Sequence, residues 1–160
     1  MLSEVNLKNT QLEEIDPSSI PDIEAYQREK FKNPRGRFTS TTIKSGGFSK
    51  LYKFKGSDDL IIIAPRLDKE LIENWNKAIL GYLETYMITS SDDGYIEHIN
   101  IGNAKAVIFF IKNYRRGNKN YILYQNTKQK VTFFIIYISN SPDSVKINNM
   151  RNIIKEMRFE

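Results

Sequence analysis

Between residues 94 and 139 hydrophobic residues occupy both alternating positions of two long segments, and short polar breaks interrupt them. Segments 95–114 and 120–139 are rich in β-branched and aromatic side chains. Gly102-Asn103, Arg116-Gly117-Asn118 and the polar run 126–130 are each able to reverse a strand, so two hairpins are predicted. In 104–114 one parity carries Ala104, Ala106, Ile108, Phe110 and Tyr114, the other Val107, Phe109 and Ile111. In 131–138 Phe133, Ile135 and Tyr137 oppose Phe134, Ile136 and Ile138. A sheet apolar on both faces must be covered on both.

Two stretches with helical spacing provide that cover. After Asp68, whose carboxylate suits an N-cap, Leu71, Ile72, Trp75, Ile79, Tyr82, Leu83 and Tyr86 recur at three- and four-residue steps, predicting a helix over 68–87 with Trp75 as a core anchor. A closing helix follows Ser141 as its cap, with Pro142 at the first helical position. Its stripe is Ile147, Met150, Ile154 and Met157, while Lys146, Arg151, Lys155 and Arg158 face water. Upstream, 48–55 alternates and passes through the turn Gly56-Ser57-Asp58-Asp59 into a strand at 60–64, making a first hairpin, and 37–43 forms a weaker edge strand. The order strand, strand, helix, four strands, helix predicts one α+β domain over 37–160. It is an antiparallel sheet of about six to seven strands covered by two amphipathic helices.

Charge sets residues 1–36 apart as an extension, acidic and then basic. Residues 1–27 hold six acids against one base, while the whole chain carries +5, so the remainder is strongly positive. Pro17 and Pro21 interrupt helical spacing, with short turns expected after Asp16 and within 23–31. Two arrangements stay open: wrapping of the domain through Leu12, Ile15, Ile20 and Ile23, or a tail.

Composition narrows the chemistry. Hydrophobic residues at 40% and charged residues at 27% oppose wholesale disorder in a chain of 160 residues. No apolar run approaches the roughly 20 residues of a membrane-spanning helix. The absence of cysteine removes disulfides, thiol catalysis and thiolate metal sites. A single histidine, His98, excludes a His-rich metal site and would have to carry any Ser-His-Asp triad alone. No cofactor or metal is therefore expected, and an enzyme is disfavoured. Residues 1–4 lack signal-peptide character, so the expected compartment is the cytoplasm, or outside it after loss of a leader; oligomeric state is left open. Abundant Asn, Lys and Ile suggest an AT-rich genome, which weakens lysine content as a functional signal.

The segment 68–87, the hairpin residues Ile99-Asn100-Ile101-Gly102-Asn103-Ala104-Lys105-Ala106-Val107, the strands 121–124 and 131–138 and the closing helix 143–159 together resemble the PsbP-like fold family, which includes Ran-release factors of the MOG type. The resemblance covers about residues 38–160. It departs from the family near 38–48, where an aromatic strand followed by Pro and a turn is missing. What it implies is a PsbP-like sandwich that acts without catalysis, as assembly factors, GTPase-binding proteins and secretion chaperones do. It transfers no individual functional residue.

Against that background the candidate sites are few. His98 shares a parity with Ile96 and Asn100, which favours a surface or half-buried structural residue over a catalytic one. Glu97 and Glu84 have no spacing that pairs them with Asp92 or Asp93, and Asp92-Asp93-Gly94 is a turn signal. Ser45-Gly46-Gly47 lacks the rest of a phosphate-binding loop. Segment 28–55 holds nine basic residues and one acid interleaved with Phe31, Phe38, Phe48, Tyr52 and Phe54, a pattern suited to single-stranded nucleic acid or to a solvated edge strand. The reading favoured by sequence is a non-enzymatic protein-binding module, an adaptor or chaperone-like protein that holds another protein through Tyr52, Phe54, Tyr114, Arg115, Arg116, Tyr121 and Tyr124. A nucleic-acid-binding module and a toxin-neutralising immunity protein are the alternatives.

Overall fold

Strands that are apolar on both parities pair into a sheet that buries both faces. The computed structural model describes residues 5–6, 11–15, 50–66, 77, 79, 83, 94–112, 119–128 and 131–159. Its elements are β1 (Val5–Asn6), β2 (Leu12–Glu14), β3 (Lys50–Phe54), β4 (Leu60–Arg66), β5 (Gly94–Ile101), β6 (Ala104–Ile111), β7 (Lys119–Asn126), β8 (Val131–Ile138), helix α1 (Asp143–Glu156) and β9 (Arg158–Phe159). Seven strands form one sheet in the order β2-β3-β4-β8-β7-β6-β5, with every neighbour antiparallel. β5 to β8 is a meander, and β4 joins it through β8, from Leu60↔Ile138 to Arg66↔Thr132.

Turn chemistry sets the hairpin register. Gly102 sits at φ 56° in the two-residue loop that places Ile101 opposite Ala104, a left-handed conformation that a residue with a Cβ adopts at a cost. Gly56, at φ 74°, opens the β3–β4 turn, where the Phe54 amide donates to the Asp59 carbonyl at 3.2 Å.

The interior divides into two layers, one on each face of the sheet. On one face Ile108, Phe110, Ile122, Phe133, Ile135 and Tyr137 pack with Met150, Ile153, Ile154 and Met157 of α1. On the other, Val107, Phe109, Leu123, Phe134, Ile136 and Ile62 pack with Ile79 and Leu83. Ile79 and Leu83 are helical and four residues apart, so they share one helix side. The rest of the stretch 68–87, Trp75 included, lies outside the described residues, as do the strand expected at 37–43 and the turns expected after Asp16.

Three local expectations are corrected. Pro142, at φ −55° and ψ 153°, occupies the N-cap with no side-chain cap, and the Val145 and Lys146 amides donate to its carbonyl at 3.0 Å. Ser141 does not cap; its amide donates to Ser139 Oγ at 3.0 Å. Lys146 does not face water either. Its stem is buried, with Nζ 4.6 Å from the Phe110 ring centre and 3.2 Å from Asp143 Oδ1. Part of the N-terminal segment is also sheet: β2 pairs with β3 and buries Leu12, and β1 pairs with β9.

Candidate functional site

The two ends of the seven-stranded sheet differ. β2 is three residues long, and Glu13 and Glu14 are both exposed. A short, charged edge resists pairing with another chain. β5 runs for eight residues in unbroken register with β6, without proline, lysine or bulge, and no described residue pairs with its outer side. Because the two-residue loop makes Ile101 and Ala104 a hydrogen-bonded pair, residues 95, 97, 99 and 101 direct their backbone groups to β6. Residues 94, 96, 98 and 100 turn theirs outward.

The outer side chains match an open edge. His98 and Asn100 are exposed, and Ile101, at 40% exposure, is one of two large exposed hydrophobics among the described residues. A clasp from α1 holds the strand on its helix-covered face. Arg151 donates to both Glu97 carboxylate oxygens, Nη2 to Oε1 at 2.7 Å and Nε to Oε2 at 2.9 Å, and the Tyr95 hydroxyl donates to Oε2 at 3.2 Å. Tyr95 stacks on Phe110 at 5.3 Å. Arg151 holds the Glu97 carboxyl below its ordinary range, with Tyr95 adding to the effect. Burial, then the Glu97 charge, push the Tyr95 phenol upward. The only acid of β5 is thereby neutralised from within.

A second polar cluster is internal. The Tyr137 hydroxyl donates to Asp59 Oδ2 at 2.6 Å and accepts from Asn149 Nδ2 at 2.9 Å, and Asn120 Nδ2 donates to the Tyr137 carbonyl at 3.0 Å. Burial first, then the bond to Asp59, raises the Tyr137 phenol far above its usual range. Tyr137 is fully buried, and this cluster ties β8, α1 and the β3–β4 turn together.

Of the residues singled out in sequence, Tyr52, Tyr121 and Tyr124 are buried, and Phe54 is half-buried edge-on to Tyr137 at 5.7 Å. Tyr121 stacks on Phe109 at 5.3 Å and on Phe134 at 5.6 Å. These rings serve the two packed layers instead of an outer surface. Tyr114, Arg115 and Arg116 lie outside the described residues, as do Glu84, Asp92, Asp93, Ser45-Gly46-Gly47 and 28–49 of the basic segment. Within 50–55, Lys50 keeps only 12% of its side chain exposed, with Nζ 3.9 Å from Glu14. His98 stands on the outer edge with no described partner. Sequence reasoning missed the backbone edge of β5; its one signal was a regular strand pattern free of proline and lysine.

Among the described residues no three His, Cys, Asp or Glu side chains converge on a possible metal position. No described helix is long and apolar enough to cross a membrane. No family model, curated protein or solved structure matches the chain.

Proposed function

We propose that this chain is a non-enzymatic binding protein, adaptor or chaperone-like in character, that takes an extended segment of a partner protein onto the outer edge of β5. The observation carrying this reading is the contrast between the short acidic edge at β2 and the long regular edge at β5. Strand addition draws affinity from main-chain hydrogen bonds and specificity from alternating side chains, and β5 offers both. The clasp to Glu97 and the Tyr95 stack fix the strand beforehand, which lowers the ordering cost of binding. The resemblance to PsbP-like proteins supports the same class of activity.

His98→Pro is the direct test, because residue 98 directs its N–H away from β6. Proline there removes an outward donor and keeps the β5–β6 ladder. With a photo-crosslinker at Ile101, the unmodified edge should capture one partner reproducibly and His98→Pro should not. Amide exchange at Ile96, His98 and Asn100 should slow in the captured complex. Equal capture by the folded variant, or unprotected amides, would sink the proposal.

A further inference from the structure

Register carries a polar row across five strands at one end of the face opposite α1. Asn100 lies opposite Lys105, Lys105 opposite Gln125, Gln125 opposite Thr132, and Thr132 opposite Arg66. Lys105 brings a positive charge to this row, and Asn100, Gln125 and Thr132 bring no acid. Lys105 is exposed beside the edge, whereas Gln125 and Thr132 are buried, and the Thr132 hydroxyl has no hydrogen-bond partner among the described residues. A strand added at β5 places its own residue next in this row, opposite Asn100. On the helix-covered face the same strand would meet Tyr95, Ile99 and the exposed Ile101, with Glu97 already held by Arg151.

Given the reading of β5 as the binding edge, we infer that its occupant is an acidic amphipathic strand, with Asp or Glu opposite His98 and Asn100 and apolar residues toward Tyr95, Ile99 and Ile101. A carboxylate at those positions extends the row with the sign it lacks, in a chain of net charge +5. The β5 edge of a second copy supplies no such group. The residues of β5 on that face are Ile96, His98 and Asn100, and its one acid, Glu97, points to the opposite face. Pairing of β5 with the β5 of a second copy would leave the row uncompensated.

Two acetylated octapeptides, one alternating Val and Glu and the other Val and Lys, test the assignment on the full chain by NMR. The Ile96, His98 and Asn100 amides are the reporters. The Val-Glu peptide should bind about tenfold more tightly than the Val-Lys peptide, and Lys105→Glu or high salt should shrink that gap. His98→Pro and, independently, Asn100→Pro should abolish binding of both peptides. Equal or stronger binding of Val-Lys overturns the acidic assignment and leaves the edge standing. If neither peptide shifts the reporters, the binding edge itself is refuted. A dimer seen by sedimentation and lost in His98→Pro would give the edge to a second copy and overturn the inference.

Discussion

Tyr137 shows how a single side chain fastens three elements. Its ring lies within the sheet layer under α1, while its hydroxyl bridges Asp59 and Asn149. Tyr137→Phe preserves the packing and takes a donor from a carboxylate that is 9% exposed. The expected loss is about 1–3 kcal/mol, read as a lower urea midpoint; an unchanged midpoint would mean that Asp59 regains its bond from water. Glu97 makes a different prediction because its group titrates. Its folded pKa is depressed below the ordinary 4.5, so its contribution is present above that pH and is lost as pH falls through the folded value. The stability gap between the native chain and Glu97→Gln should therefore be widest near neutrality and vanish in acid. A gap constant across that range would show that the Arg151 clasp does not shift the group.

At the level of elements, the alternating pattern places Phe134 and Ile135 on opposite faces, each in its own packed layer. Truncating either to Ala should cost roughly 2–5 kcal/mol in thermal or urea unfolding, and a full-strength midpoint for either would contradict two covered faces. That much was legible, because a strand apolar on both parities has one physical solution. Other details were not. Leu12–Glu14 hides in sequence because three residues with two acids give no alternation to read, and its pairing with β3 arises from tertiary contact. Lys146 was misread because charge was assigned to water, whereas a lysine stem covers apolar surface when Phe110 and Asp143 receive its ammonium. Tyr121 and Tyr124 follow a related logic: both rings are amphipathic, but strand parity seats them in two different buried layers.

The edge at β5 belongs to the whole molecule, since no residue from 94 to 101 reveals that its strand stands last among the described strands; only the order of those seven strands does. The same order has a consequence in time. Leu60–Arg66 must pair with Val131–Ile138, which is synthesised about 70 residues later. At ribosomal rates of about 5–20 residues per second, the hairpin of β3 and β4 waits on the order of several seconds for the neighbour that covers Ile61, Ile62 and Ile63. The meander from β5 to β8 closes through short loops and forms quickly once made. A nascent chain halted before Val131 thus displays an isoleucine-rich strand paired on one side only, with β3, and its other side stays open to whatever meets it at the ribosome.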